Sequence, residues 1–102
     1  MILVSAETRR RIEALFPAEE RETVERLLLE ECGDKLPLTD HASAEFWDRL
    51  RFAVLNLSEG DLQKLKEALK IARIDWRDTL VGAGFGHSLT AHKSWFPNAD
   101  KN

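Results

Sequence analysis

The stretch Phe46-Trp47-Asp48-Arg49-Leu50-Arg51-Phe52-Ala53-Val54-Leu55-Asn56-Leu57 decides the fold. At the helical period Phe46, Trp47, Leu50, Ala53, Val54 and Leu57 fall within one broad sector, since residues three and four apart share a face. Phe52 and Leu55 project from the opposite side. A helix that is apolar all round is usually central and buried, so this segment predicts the axis of the fold. Two outcomes stay open for Phe52 and Leu55. Wrapped by other helices they belong to the core; left uncovered they form an apolar patch of the kind that marks a partner or self-association site.

Helical signals continue on both sides of the axis. Ser5 can cap a short first helix carrying Ile12, Leu15 and Phe16, and Pro17 ends it while suiting the first turn of the next. The second helix runs from about Ala18 to Cys32. Glu19, Glu20 and Glu22 complement the positive end of its dipole, and Val24, Leu27 and Leu28 form its apolar stripe. Gly33 reads as a left-handed stop, residues 34–38 as a loop, and Thr39 or Asp40 as the cap of the axis helix. Beyond the axis, Ser58-Glu59-Gly60-Asp61 resembles a capping box for a fourth helix with Leu62, Leu65, Leu69 and Ala72 on one side. Asp75 and Asp78 repeat that logic for a short fifth helix, which carries Trp76, Leu80 and Val81 and stops at Gly82-Ala83-Gly84. Ser88 caps a last helix carrying Leu89, His92 and Trp95, ended by Pro97, and residues 98–102 form a polar, frayed tail.

No stretch alternates apolar and polar residues over strand length, so no sheet is expected. The expected fold is all-α: one compact domain over residues 1–102. It has five or six helices in a bundle or orthogonal array, with short helices at the C-terminal end.

The chain has 102 residues, room for one core and for no separate catalytic domain. Charged residues are 32% of it, against a usual share of about 25%. The net charge is −3, and the whole acid excess lies before residue 36. A mildly acidic domain is a poor default binder of nucleic acid or anionic membrane. Cys32 is the only cysteine, so no internal disulfide can form. With only Met1-Ile2-Leu3-Val4 as an apolar start, the sequence has no secretory signal and no membrane-spanning run. A soluble, cytoplasmic protein is expected.

Candidate chemistry is sparse. Cys32 sits near the carboxyl end of a helix, where the dipole disfavours a thiolate, and it borders the Val24/Leu28 stripe; a small core residue is the expected role. The segment Gly82-Ala83-Gly84-Phe85-Gly86-His87-Ser88 fails as a dinucleotide fingerprint, because His87 stands where glycine is needed. It fails as a nucleophile elbow around Ser88, because Thr90 stands where the last glycine is needed. In both cases a helix, not a strand, precedes it. His87 and His92 point about 140° apart on any shared helix, and His41 is remote, so no metal site and no cofactor are expected. His92 is expected at the edge of an aromatic cluster around Trp95, in which Trp76, Phe85, Trp95 and Phe96 pin the short helices onto the axis. A helix-turn-helix reading of residues 88–96 offers only Thr90, His92 and Lys93 for contacts to bases and phosphates.

Two charged stripes remain. Lys66, Lys70 and Arg73 form a basic ridge on the fourth helix. Glu19, Glu22 and Glu30 face outward on the second, with Arg26 between them and Leu29 exposed among them. Either can be a solvated face or a charged docking rim.

The expected function is therefore a non-enzymatic interaction domain that binds another protein or itself. Its candidate contacts are Phe52 and Leu55, rimmed by Glu19 and Glu22 or by Lys66, Lys70 and Arg73. In size and charge alone it is similar to small acidic helical proteins that neutralise a basic partner, such as antitoxins or immunity proteins. The alternatives are weak nucleic-acid binding through the basic ridge, and a small enzyme using Cys32, Ser88 or the histidines.

Overall fold

A computed structural model describes residues 4–33, 43–88 and 90–97. Among these the chain forms four α-helices: α1 (Ala6–Leu15), α2 (Ala18–Glu31), α3 (Ala44–Ser58) and α4 (Leu62–Gly82). A single 3-10 helix comes after them at Ala91–Ser94, and no strand is present among the described residues. The all-α expectation holds, and the expected count of five or six is corrected to four. The fourth and fifth helices run on as one, interrupted at Asp75, whose backbone is extended (φ −158°, ψ 102°). Asp75 still caps the last two turns of α4, since its carboxylate accepts the backbone N–H of Arg77 at 3.0 Å. The last helix shrinks to one 3-10 turn.

Caps fix most of the boundaries. Ser5 Oγ accepts the N–H of Thr8, as its place before α1 predicts, and Pro17 stands immediately before α2. The cap of α3 is Ser43, which accepts from Phe46 N–H; Thr39 and Asp40 lie outside the described residues, as do the 34–38 loop and the 98–102 tail. At the next turn the capping-box expectation is also corrected. Ser58 is the last residue of α3 and donates to the Leu55 carbonyl, whereas Asp61 is itself the cap of α4. Glu59 and Gly60 both take left-handed backbone (φ 53° and 81°) to turn α3 into α4. A Cβ at Gly60 would lie 2.7 Å from the Leu15 carbonyl oxygen, so this turn also seats the end of α1.

Gly33, expected to be a left-handed stop, is not among the residues of positive φ. Its role is close approach: a Cβ there would meet the Leu29 carbonyl oxygen at 3.2 Å and the Arg51 guanidinium at 3.7 Å.

α3 is the hub, packing on α4 most extensively and also on α1 and the 3-10 helix, while α2 packs on α1 and α4. Leu50, Ala53, Val54 and Leu55 are fully buried and Phe52 is 3% exposed. The wrapped outcome is thus the observed one. Phe52 and Leu55 are core residues in this fold, because α1, α4 and the C-terminal turn close around α3, and they are withdrawn as surface contacts. Arg51, also fully buried, donates from Nε to the Cys32 carbonyl at 3.0 Å and lies over the Trp47 ring, fastening the end of α2 to α3.

The aromatic residues divide between two places on α3. Trp76 meets Phe46 edge-on at 4.9 Å, near the start of the helix. His92 and Trp95 meet Phe52 one and a half turns later, His92 at 5.3 Å from the Phe52 ring, and Phe85 lies against Trp95 at 6.1 Å. Phe96 stays 36% exposed. Among the described residues no helix is long and apolar enough to cross a membrane.

Candidate functional site

Among the described residues two candidate places stand out: the outer face of α4 and a pocket beside α1.

On α4 the core is formed by Leu65, Ala68, Leu69 and Ala72. The i, i+4, i+7 spacing places Lys66, Lys70 and Arg73 along one flank over two turns, and all three are exposed, as their spacing predicts. Two isoleucines stand beside them. Ile71 is 46% exposed and Ile74 77% exposed, the latter immediately before the Asp75 interruption. Neither is among the contacts expected from sequence, although a signal was present. Ile74 comes nine positions after Leu65, which at the helical period puts it about 180° around the axis from the buried leucine.

Between α2 and α4 runs a groove of about 330 Å³, with Leu27 and Leu69 in its lining and Lys66, Lys70, Arg73 and Glu31 along its edges. Arg73 crosses it to Glu31 at 3.3 Å. Among the described residues Lys66 and Lys70 form no ion pair. The face therefore combines exposed apolar area with two cations, Lys66 and Lys70, that form no ion pair among the described residues, and with the exposed Glu67, which shares the Ile71 and Ile74 side of the helix.

The acidic stripe on α2 is less uniform than expected. Glu19, Glu22 and Glu30 are exposed, but Leu29 is half-buried, in a groove between α1 and α2 that Glu22 shares with Arg9, Arg21 and Arg26. Arg9 there holds Glu25 with two hydrogen bonds and keeps its carboxyl below the usual range. Acid and base are interleaved in this groove.

The second place is a cavity of about 480 Å³ between α1, the start of α3 and the 3-10 helix. Phe52 and His92 lie in its lining, with Arg11, Asp48 and the pair Glu45–Lys93 around them. Arg11 is anchored: it hydrogen-bonds the Glu7 carbonyl and carboxylate and the Trp95 carbonyl, and its guanidinium lies 3.9 Å from the Phe52 centroid. The Arg11 hydrogen bond, with the charge of Arg10, holds the Glu7 carboxyl below its ordinary range. Asp48 Oδ1 accepts the hydroxyls of Ser5 at 2.7 Å and Thr8 at 3.2 Å. His92 is 1% exposed and its Nδ1 has no hydrogen-bond partner. Burial lowers its pKa, against the opposing pull of Asp48, so the neutral imidazole is favoured.

The remaining candidates are not brought together. Cys32 is fully buried, and burial pushes its thiol up to about 12 against the pull of Arg51, so no thiolate is available as a nucleophile. Ser88 forms a local turn, accepting the Thr90 N–H at 3.2 Å. His87 is exposed, and His41 lies outside the described residues. Among the described residues no group of three His, Cys, Asp or Glu side chains is placed to hold a metal ion. No protein-family model, curated protein or solved structure matches the chain.

Proposed function

We propose that the chain is a non-enzymatic interaction domain whose α4 outer face docks an acidic, amphipathic segment of another protein. The observation that carries this reading is Ile74, 77% exposed beside Arg73. Exposed isoleucines flanked on one side by a basic ridge suit a partner with apolar residues on one stripe and carboxylates along the facing edge. The apolar contact supplies affinity, and the charges set encounter rate and register. Phe52 and Leu55, the contacts expected from sequence, are replaced by Ile71 and Ile74; Lys66, Lys70 and Arg73 keep their place as the charged rim. The lone cysteine, a buried free thiol, supports a reducing and hence cytoplasmic setting.

Nucleic-acid binding is the weaker alternative. The ridge offers three cations, one already paired with Glu31, and residues 62–74 contain no aromatic side chain on which a base could stack.

The test is capture from native lysate on immobilised wild-type chain, on Ile74→Glu, and on a Lys66→Glu/Lys70→Glu/Arg73→Glu variant. The reading expects an acidic protein held by the wild type, released by salt and lost from both variants. Retention unaffected by both variants would overturn it. So would capture that disappears on nuclease treatment.

A further inference from the structure

We infer, resting on the docking reading above, that Glu67 sets the register of the α4 face and that the partner's apolar stripe ends over it in a basic side chain. Glu67 thus names the one position at which an otherwise acidic partner carries a cation.

Two stripes run side by side along α4. Lys66, Lys70 and Arg73 make the basic ridge. Glu67, Ile71 and Ile74 repeat the same i, i+4, i+7 spacing one residue later, so they share the adjoining face. All six residues are exposed. The second stripe is therefore apolar at two positions and anionic at the third. Beyond Ile74 the extended backbone of Asp75 interrupts it. A helix laid on the isoleucines meets Glu67 about 6 Å before Ile71 along the axis, one turn away.

Charge decides what lies over Glu67. Lys64, three residues before it, is held by Glu59 at 2.5 Å, and Glu67 forms no ion pair among the described residues. Lys70, three residues after it, lies on the ridge, and a pair at that spacing on a helix surface is weak. An apolar partner residue would strip water from the carboxylate and return no hydrogen bond. A carboxylate there would add like-charge repulsion. A Lys or Arg supplies a charge-assisted hydrogen bond. The pattern also fixes direction. Turned end for end, the partner would lift its cation from Glu67 and its acidic edge from the ridge, so the reversed arrangement is penalised twice.

The test is calorimetric titration of the whole chain with designed helical peptides carrying leucines on one stripe and glutamates along one edge. Lys, Gln or Glu stands at one end of the stripe, with a separate set of peptides for each end. In one of the two sets the Lys peptide should bind about threefold tighter than the Gln peptide and the Glu peptide about threefold weaker, the scale of an exposed ion pair. Glu67→Lys should reverse that order and Glu67→Gln should level it. Glu67 is exposed, so neither variant disturbs the core. Affinity indifferent to the end residue in both sets, or an unchanged order in Glu67→Lys, would overturn the role of Glu67 and leave the docking reading standing. A peptide with lysines along its edge checks that reading separately. If it binds as tightly as the glutamate-edge peptides, or if no peptide binds saturably, the docking reading fails and the role of Glu67 with it.

Discussion

α3 and α4 make the most extensive helix contact in the molecule, yet they treat their apolar residues in opposite ways. α3 buries eight of its fifteen residues, including both residues that project away from its main stripe. α4 buries six of twenty-one and leaves Ile71 and Ile74 in solvent. The difference lies in the neighbours. α3 is enclosed by α1, α4 and the C-terminal turn, so every face finds a partner, whereas α4 meets the rest of the protein on one side only. An off-stripe hydrophobe is therefore core or surface according to what surrounds its helix. On α4 Ile71 stays 46% exposed and Ile74 77% exposed.

The largest expected effect lies on α3. Phe52→Ala removes the ring that Arg11, His92 and Trp95 pack against, and should lower unfolding free energy by about 3–5 kcal/mol in urea denaturation. A loss below about 1 kcal/mol would show that α3 is not enclosed on this side.

Next comes the joint between the two helices. Gly60→Ala forces a side chain into left-handed backbone and against the Leu15 carbonyl, and should cost about 2 kcal/mol or more by the same measurement. Gly84→Ala, beyond the end of α4, has equally positive φ but nothing within 4 Å, so only the conformational cost of about 1–2 kcal/mol is expected. Reversal of that order would contradict the packing of α1 against the turn.

A smaller effect comes from His92, beside the enclosed helix. Its folded pKa lies below the ordinary 6.5, so as pH falls the unfolded chain takes up the proton first. Stability is then complete above about pH 6.5 and declines as pH drops below it. The carboxylates whose pKa values are lowered, Glu7, Glu25, Glu59 and Asp75, lose their contribution only at more acid pH, as their protonation sets in. Urea midpoints compared at about pH 7.5 and 5.5 should therefore fall for the wild type and fall less for His92→Gln.

The smallest effect belongs to α4. Ile74→Ala should change stability by no more than about 0.5 kcal/mol, because the side chain makes little contact in the free protein. A loss as large as that of a core residue would mean that Ile74 is covered.

Local features were the ones legible in sequence. Ser5 and Asp75 act as caps because capping needs only a short polar side chain near free N–H groups, and the burial of Cys32 agrees with its place beside the Val24/Leu28 stripe. The cap of α4 lies three residues beyond Ser58, at Asp61, since both are good caps and only the left-handed Glu59-Gly60 pair decides between them. The fate of Phe52 and Leu55 was not legible, because it depends on how other helices close around α3. The cavity was harder still. Arg11, Asp48 and His92 come from three separate elements, and neither Arg11 nor Asp48 carries a local signal of function. Ile74 was legible in principle from its spacing, but a single apolar residue on a polar helix face is ordinary, and it gains meaning only beside Ile71 and the cations.

The contrast between the enclosed and the open helix is tested most directly by a photoreactive side chain placed at Ile74, and in a second protein at Glu22 on α2, each irradiated in the native cell. The account predicts a crosslink from position 74 to an acidic protein, reduced when Lys66, Lys70 and Arg73 are reversed in charge, and none to that protein from position 22. A crosslink to the same protein from position 22 alone, or none from position 74, would contradict it.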